Sequence, residues 1–467
     1  MTTFTMTIDG NAVAGHATFD VTNPATGAVF AEAPDCGRQE LDAAMVSAQA
    51  AFSDWRDDLE RRRQVMHACA DALAVGAEDL ARVATLEQGM PLSNARRSVQ
   101  RAADSFRRYA GLDLPRSIAQ DDDEALVEVV RRPIGVIAAI KPWNVPISMA
   151  VNTVAPAFRA GCTVVLKPSP FTPLATLRLG EILREVVPAG TLNVVSGGND
   201  LGQWMTEHPI PRGVSFTGSI ATGRRVNVSA AADLKRVLLE LGGNDAAIVL
   251  DDMDPADVAD RLFWRAFFNS GQICMAVKRL YVPASMYRAV VDALATKARA
   301  ARVGDGLDVD TELGPLNNRP QFERVAGLVD GAVRSGARVA AGGRALDGAG
   351  YFYEPTILSD AAEGMPIVDE EQFGPVLPVL SYTSLDDAVS RANDTMFGLG
   401  ASVWSSDPER AAAVAERLEA GTVWINTHGV LGHAQPFAGT KWSGLGAENG
   451  IWSVHAFTEP RTVYHAR

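Results

Sequence analysis

The chain has few cysteines, with only four among its 467 residues: Cys36, Cys69, Cys162 and Cys274. They are scattered, with no C-x-x-C pair and no nearby histidine at a spacing typical of a zinc site. So sparse a set does not provide a disulfide framework and is typical of a reduced, cytosolic protein. The sequence therefore predicts neither stabilising disulfides nor a metal site.

Long apolar runs are also missing. No stretch approaches the ~20 apolar residues that span a bilayer, and Met1–Thr7 has neither the basic nor the apolar region of a signal peptide. The formal net charge of −13 disfavours binding of nucleic acid across the whole surface. These absences predict a soluble, cytoplasmic protein that binds neither membranes nor nucleic acid.

The length and composition are those of a globular protein with more than one domain. A chain of 467 residues exceeds the length of about 250–300 residues at which single cores stop growing. Hydrophobic residues make up 47% of it and charged residues 21%, as in ordinary soluble proteins. We therefore expect at least two cores.

Short apolar runs alternate with amphipathic segments in the first half of the chain, which predicts a parallel sheet covered by helices. Residues 38–55 have the apolar spacing of a helix, and a second helix is predicted through Leu73, Leu80 and Val83, ending at Gly89. Strands are predicted at Ile134–Ile140, Thr163–Leu166, Leu192–Val195, Val214–Phe216 and Arg236–Leu239, and helices at Pro146–Ala160 and Leu174–Val186.

The alternation restarts after Gly243, which predicts a second α/β domain. Two further extended segments, Ala125–Val130 and Phe457–Tyr464, have no helix after them and suggest a small appendage built from both. In the second domain, strands are predicted at Ala246–Leu250, Arg279–Val282, Pro375–Leu380, Ala401–Trp404 and Thr422–Ile425, and helices at residues 285–302, 319–335 and 408–419.

One cysteine and one carboxylate lie beside glycines in settings that suit covalent catalysis. Cys274 follows Gly271, and Glu240 ends an apolar run just before Gly242. A thiolate can attack a carbonyl and a carboxylate can activate the water that releases the product, which is the minimum for thioester chemistry. A lone cysteine is more often a small core residue, so these two residues need support from other segments.

Three strand ends carry residues that could bind a cofactor or stabilise an anion. The segment Thr217–Gly223 opens a helix, and its glycines and hydroxyls fit either a plain helix cap or a phosphate site. Lys167 is placed to meet a ribose or phosphate, or is a solvated strand-end lysine. Asn144 could donate to an oxyanion, although asparagine is equally common in turns.

Taken together, seven segments in order resemble the aldehyde dehydrogenase superfamily, in its hydrolytic, NAD(P)-dependent branch. Any one of them is weak evidence, but the series covers essentially the whole chain. The segments are Pro142-Trp143-Asn144, Lys167-Pro168-Ser169, Phe216-Thr217-Gly218-Ser219, Glu240-Leu241-Gly242-Gly243, Gly271-Gln272-x-Cys274, Glu370-Glu371-Gln372-Phe373-Gly374-Pro375-Val376 and Pro436-Phe437-Ala438-Gly439-Thr440-Lys441.

The resemblance implies an α/β fold with a Rossmann-like parallel-sheet cofactor domain, a catalytic α/β domain and a small β hairpin for oligomerisation. It implies a homodimer or homotetramer built through that hairpin. The implied ranges are 1–114 and 134–242 for the NAD(P)-binding domain, 243–441 for the catalytic domain, and 115–133 and 442–467 for the oligomerisation segments.

The resemblance also implies the roles of the catalytic residues. Cys274 would be the nucleophile, Glu240 the general base, and Asn144 part of the oxyanion hole. Aldehyde would be oxidised to the carboxylic acid through a thiohemiacetal and a thioester. The residues implied to bind the cofactor are Ile140, Trp143, Lys167, Ser169, Gly218, Ser219, Leu241, Glu371 and Phe373.

The implied substrate is an uncharged aliphatic or aromatic aldehyde, because the implied tunnel has no lysine or arginine. NAD is the expected cofactor, and NADP remains an alternative because Pro170 stands where many NAD-preferring members have glutamate. His428 would lie nearby as a surface or packing histidine. The implied tunnel residues are Met149, Asn152, Phe268, Ile273, Met275, Leu431 and Phe437.

Three alternative functions remain open at this point. A CoA-acylating dehydrogenase would not need the water-activating Glu240, and a cysteine hydrolase would need a base such as histidine beside the thiol. A non-catalytic protein that kept the fold for binding is the third, because fold alone does not prove function.

Overall fold

The chain folds around two large sheets, as the two stretches of alternating runs predict. The computed structural model describes residues 3–467. No helix in that range is long and apolar enough to cross a membrane. The elements of the first half are β1 (Met6–Ile8), β2 (Asn11–Val13), β3 (Ala17–Asn23), β4 (Ala28–Asp35), α1 (Arg38–Asp57), α2 (Leu59–Val75), α3 (Ala77–Gln88), α4 (Leu92–Ala110), β5 (Ser117–Asp121), β6 (Ala125–Pro133), β7 (Val136–Ile140), α5 (Pro146–Ala160), β8 (Thr163–Lys167), α6 (Leu174–Leu183), β9 (Leu192–Val194), α7 (Asn199–Glu207), β10 (Gly213–Thr217), α8 (Ile220–Ala231) and β11 (Arg236–Glu240).

The second half begins at Asp245 and ends close to the last residue. A short 3-10 helix, Phe268–Gly271, follows α9. The other elements are β12 (Asp245–Val249), α9 (Pro255–Phe267), β13 (Val277–Pro283), α10 (Tyr287–Ala300), α11 (Arg319–Arg334), β14 (Arg338–Ala341), β15 (Thr356–Ser359), α12 (Pro366–Asp369), β16 (Val376–Tyr382), α13 (Leu385–Asn393), β17 (Gly400–Trp404), α14 (Pro408–Ala415), β18 (Thr422–Ile425), β19 (Gly444–Leu445), α15 (Gly450–Ala456) and β20 (Thr458–Ala466).

The first sheet has eight strands in the order β19-β11-β10-β7-β8-β9-β1-β2. Strands β7 to β11 are parallel to one another, so their carboxyl ends meet at one edge. In the register of this sheet Thr217 lies beside Glu240, and Ile140 lies beside both Phe216 and Lys167. The predicted cofactor residues at these strand ends are therefore neighbours.

The second sheet has seven strands in the order β14-β15-β16-β13-β12-β17-β18. Its central strands are parallel and buried along their whole length, because helices cover both faces. Only β14 runs antiparallel to its neighbour. This sheet places the segment before β13, which contains Cys274, at the edge that faces the first sheet.

A third sheet stands apart from both cores, in the order β20-β6-β5. Its nine-residue β20 pairs antiparallel with β6, from Thr458 opposite Pro133 to Ala466 opposite Ala125. The two extended segments that the sequence leaves without helices are thus adjacent strands. Residues 442–457, grouped with them in the sequence analysis, instead include β19, which pairs with β11 of the first sheet.

The α/β class is confirmed, but several elements differ from their prediction. The helix predicted through Leu73, Leu80 and Val83 is two helices, α2 and α3, which meet at Gly76. A Cβ at Gly76 would lie 2.7 Å from the Ile182 side chain, so the glycine lets α6 pack close to this junction. The sequence analysis also did not predict β1 to β4, α4, β14 or β15.

Candidate active site

The segment that carries Cys274 has an unusual backbone. Between α9 and β13, Asn269, Ser270 and Gly271 all have positive φ angles, of 53°, 56° and 72°. A Cβ at Gly271 would lie 2.1 Å from the carbonyl oxygen of Gly374, so only glycine fits. This strained turn lifts Cys274 out of the helix and directs it toward the first sheet.

Cys274 differs from the other three cysteines because it alone is partly exposed. Burial raises the pKa of its thiol to about 12, the Lys278 ammonium lowers that pKa, and Glu371, Glu240 and Asp245 raise it. Burial therefore favours the protonated thiol in the ligand-free protein. Its reactivity depends on a nearby base or on added positive charge.

Asn144 lies directly beside the nucleophile segment. It is buried, and its Nδ2 donates to the carbonyl oxygen of Gln272 at 2.9 Å. The backbone carbonyl of Asn144 accepts from Asn269 Nδ2 at 3.0 Å. Only one of the two Nδ2 hydrogens is used in this bond, so the second is available to an oxyanion bound at Cys274.

Glu240 ends β11 with a carboxylate that has no hydrogen-bond partner on either oxygen, although the residue is buried. Burial and the nearby Glu448 carboxylate raise its pKa well above the usual range, and the Lys141 ammonium opposes this shift. A carboxylate with a raised pKa accepts protons more readily than an ordinary one, which suits a general base near neutral pH.

Lys141 is buried close enough to both of these carboxylates to interact with their charges. Its Nζ donates to Ser215 Oγ at 2.9 Å and to Thr217 Oγ1 at 3.3 Å. Burial lowers its pKa, while the charges of Glu448 and Glu240 raise it. The sequence analysis missed Lys141 and Glu448 because neither belongs to a motif that carries chemistry.

Glu371 is a second carboxylate of the site; it is half-buried and, unlike Glu240, it has partners. Its Oε1 accepts from the backbone N–H of Gly243 at 3.2 Å and lies 3.4 Å from Lys278 Nζ. A Cβ at Gly242 would lie 2.3 Å from Glu371 Oε2, so the glycine makes room for this carboxylate. Burial raises the pKa of Glu371, and Lys278 and the Gly243 N–H lower it.

Two aromatic rings from distant motifs meet beside Glu371. The rings of Trp143 and Phe373 are 5.2 Å apart and nearly perpendicular. The predicted cofactor residues Trp143, Glu371 and Phe373 therefore form one wall. It could hold a flat ring together with a sugar hydroxyl.

Of the two interpretations left open for residues 217–223, a helix cap or a phosphate site, the structure has the cap. Ser219 is the N-cap of α8, and its Oγ accepts from the N–H of Thr222 at 3.3 Å. Gly218 precedes it, and a Cβ there would meet the Phe216 ring at 2.6 Å. Leu241 packs against Gly223 on the same helix, at 2.4 Å from a Cβ built there. The cap leaves the other N–H groups at the start of α8 able to bind an anion.

Lys167 is buried at the end of β8 rather than solvated, which corrects one of the two interpretations left open. Burial lowers its pKa to about 8, and Asp35 and Cys36 raise it. Ser169, next along the loop, is buried and accepts from the N–H of Phe171 at 3.3 Å. Asp35 and Cys36 line a cavity of about 550 Å³ whose other wall, from Gly198 to Trp204, the sequence analysis did not predict.

The predicted tunnel residues come from α5, from the nucleophile segment and from the loop after β18. Met149 and Asn152 are three residues apart on α5, which starts just after Asn144. The loop after β18 reaches the nucleophile segment through a hydrogen bond from His428 to Met275. Of the seven, Phe268 is exposed, Phe437 is buried, and Met149, Asn152, Ile273, Met275 and Leu431 are half-buried.

A partly exposed thiol, an amide donor and an unpartnered carboxylate near the edge of a parallel α/β sheet are groups that suit an enzyme with a covalent thiol intermediate. Comparison with known families gives the particular family: residues 12–463 match the aldehyde dehydrogenase family. The chain belongs to this family.

Individual relatives agree over almost the whole chain. A mitochondrial aldehyde dehydrogenase of Leishmania tarentolae is 39% identical over 462 residues, covering 97% of this chain and 93% of the relative. An aldehyde dehydrogenase structure from Bacillus cereus is 34% identical, with a TM-score of 0.96 over 99% of this chain and 96% of that one. A Staphylococcus aureus betaine aldehyde dehydrogenase in complex with NAD+ is 32% identical, with a TM-score of 0.95 over 98% and 94%.

Proposed function

We propose that this chain oxidises an uncharged aliphatic or aromatic aldehyde to its carboxylic acid through a covalent intermediate on Cys274. The observation that carries the proposal is the Glu240 carboxylate, which is buried near the thiol with no partner on either oxygen. Buried carboxylates are normally hydrogen-bonded, so this exception suggests that substrate or water completes the site. Asn144 Nδ2 donates to Gln272 and has one further hydrogen for a bound oxyanion.

The residues divide the chemistry between them. The Cys274 thiolate adds to the aldehyde carbon, and the free Asn144 N–H stabilises the resulting oxyanion. After oxidation of the thiohemiacetal, the thioester carbonyl occupies the same donor. Glu240 then takes a proton from a water molecule, which releases the acid and restores the thiol.

NAD+ is the cofactor that fits the chain best, and it supplies the hydride acceptor when bound. Glu371 and the Trp143–Phe373 wall would hold the ribose and the flat ring nearest Cys274. Gly218 and Ser219 would meet the phosphates, and Lys167 the other ribose. Pro170 offers no carboxylate to repel a 2′-phosphate, so NADP+ is the second candidate.

The uncharged substrate class is proposed from the seven tunnel residues, which are apolar except for Asn152. An apolar lining favours an apolar ligand and gives a carboxylate-bearing aldehyde no counter-ion. If succinate semialdehyde has a higher kcat/KM than both benzaldehyde and hexanal, this part of the proposal is wrong.

A cysteine hydrolase is the less favoured function. The charged groups that shift the pKa of Cys274 are Lys278, Glu371, Glu240 and Asp245, and no histidine is among them. His428 donates to a backbone carbonyl or to Asp245 instead. A CoA-acylating enzyme is also less favoured, because it leaves the unpartnered Glu240 carboxylate without a role.

A homodimer or homotetramer is proposed from the third sheet. Strand β20 is exposed along most of its length and pairs on only one side, with β6. An exposed edge strand of this length favours pairing with another chain. The cytoplasmic location remains a prediction from the four free cysteines, and the Leishmania relative is named mitochondrial.

The test is formation of NADH and NADPH at 340 nm over a panel of aldehydes, with wild type beside Cys274→Ala. We expect turnover that disappears in the variant and release of free acid without added CoA. Turnover that survives in Cys274→Ala would contradict the proposed nucleophile. Acid release that requires CoA would favour the acylating alternative.

A further inference from the structure

Every carbonyl from Gln272 to Met275 accepts a hydrogen bond from a side chain. Asn144 Nδ2 donates to the Gln272 carbonyl at 2.9 Å. Lys278 Nζ donates to the next two, those of Ile273 at 2.8 Å and Cys274 at 2.6 Å. His428 completes the series through its Nε2, which lies 3.0 Å from the Met275 carbonyl. The nucleophile therefore sits in an irregular segment that three separate elements hold in place.

His428 is wholly buried, so the interpretation as a surface histidine is wrong. Its Nδ1 lies 3.0 Å from Ser402 Oγ on β17, and its ring lies 4.7 Å from that of Trp424 on β18. Its Nε2 also lies 3.4 Å from Asp245 Oδ2 on β12. Both ring nitrogens thus have polar partners, as a buried imidazole requires, and these partners link three strands to the nucleophile segment.

The donors and acceptors of these groups fix which atom donates in each contact. The Met275 carbonyl can only accept, so His428 Nε2 must carry the hydrogen. Ser402 Oγ accepts from the Trp404 indole N–H at 2.9 Å, which leaves its own hydroxyl hydrogen for His428 Nδ1. A continuous series of donors thus runs from Trp404 through Ser402 and His428 to the residue after the nucleophile.

We propose that His428 is a positioning residue for the nucleophile: it holds the Met275 peptide and thereby fixes where the Cys274 thiol points. Lys278 and Asn144 hold the carbonyls before it, and His428 is the only one of the three that comes from the loop after β18. That loop also carries the predicted tunnel residue Leu431. Reacting groups tolerate little displacement, since an error of about 1 Å can cost roughly 100-fold in rate.

The inference rests on the proposed role of Cys274, so its test includes a readout that needs no aldehyde. The rate at which iodoacetamide alkylates Cys274, followed by mass spectrometry of its peptide, reports the thiol directly. Aldehyde turnover and the Kd for NAD+ are measured on the same samples. The variants are His428→Leu, which removes the polar contacts of both ring nitrogens, and His428→Gln, which keeps a donor near the position of Nε2.

Val403→Ala is the matched control for loss of packing. Val403 is fully buried on β17 next to Ser402 and lies in the apolar core of the second sheet. We expect it to lower Tm while kcat/KM per folded site stays within about twofold. For His428→Leu we expect a loss of kcat/KM of about tenfold or more, mainly in kcat, with an altered alkylation rate and an unchanged Kd for NAD+. His428→Gln should restore most of the wild-type kcat/KM and most of the wild-type alkylation rate.

Unchanged alkylation and kcat per folded site in His428→Leu, with only a lower Tm as in Val403→Ala, would overturn the inference. Failure of the proposed function looks different. Wild type would then oxidise no aldehyde, while the alkylation rate would still depend on the side chain at position 428.

Discussion

Two carboxylates, the buried Glu240 and the half-buried Glu371, lie close to the glycine pair Gly242–Gly243, and their surroundings are opposite. Glu371 has a backbone N–H and a lysine within reach. Glu240 has no hydrogen-bond partner on either oxygen, and a second carboxylate, Glu448, adds to its cost of ionisation. The difference indicates that a satisfied carboxylate is suited to hold a ligand, whereas an unsatisfied one is suited to take a proton.

The variant Glu240→Gln tests the role assigned to the unsatisfied carboxylate, and we expect it to have the largest effect. We expect the steady-state rate of aldehyde oxidation to fall by about 10²–10⁴-fold, because the amide cannot accept a proton from water. The first turnover should survive, since Cys274 and Asn144 are intact. Rapid-mixing measurement at 340 nm should therefore show a burst near one NADH per site followed by a slow phase. Loss of the burst together with the steady rate would contradict a role limited to water activation.

Lys278→Met tests whether the lysine that pairs with Glu371 also lowers the pKa of the Cys274 thiol. Lys278 is the cation that lowers the pKa of Cys274, so its loss should raise that pKa further. We expect alkylation of Cys274 by iodoacetamide at pH 8 to slow by about tenfold and its pH profile to move to higher pH. Lys297→Met, which removes a half-exposed lysine paired with Asp260 on the surface, is the control. An unchanged pH profile of alkylation would mean that Lys278 does not affect the pKa of Cys274.

Glu371→Gln should change binding more than chemistry. The side chain keeps its shape and loses the charge that binds sugar hydroxyls, and a hydrogen bond to a charged group contributes about 1.5–3 kcal/mol. We expect KM for NAD+ to rise by about tenfold or more while kcat changes little. A fall in kcat without a change in KM would reverse the roles assigned to Glu371 and Glu240.

The same comparison predicts a difference in stability. Because the pKa of Glu240 is raised in the folded state, its stabilising contribution is present at low pH and is lost as the pH rises toward that raised value. Each unit of raised pKa corresponds to about 1.4 kcal/mol. Glu240→Gln should therefore have nearly the wild-type Tm at pH 5 and a higher Tm than wild type at pH 8–9, measured by calorimetry. A difference that does not depend on pH would mean that Glu240 has a partner when folded.

The sequence predicts the parts of this molecule that depend on local pattern. The strand predicted at Ala246–Leu250 lies within one residue of β12, because a buried parallel strand is a continuous apolar run. The strand predicted at Thr422–Ile425 coincides with β18, a partly exposed strand at the end of its sheet. The division at Gly76 was missed because Leu73, Leu80 and Val83 keep a helical spacing across it. Helical spacing does not show where the axis bends.

The residues of the site likewise fall into two groups, those that motifs predict and those that only the folded structure reveals. Asn144, Glu240, Cys274 and Glu371 are found from motifs that resemble a family. Lys278, Lys141 and His428 act through contacts between residues far apart in the chain or through burial, and no short pattern records these. Lys278 did offer one signal, a lysine four residues after the candidate nucleophile, which the sequence analysis did not use.

The pairing of β19 with β11 has a consequence for how the protein is made. Gly444 lies opposite Glu240, and the N–H of Leu241 donates to the carbonyl of Ser443 at 2.9 Å. The edge of the strand that ends in Glu240 thus stays open until Gly444 has been synthesised, after the whole second sheet. A nascent chain that ends within the second sheet can therefore form the first sheet only in part. The surroundings of Glu240 are completed by a segment that lies beyond the second sheet in the chain.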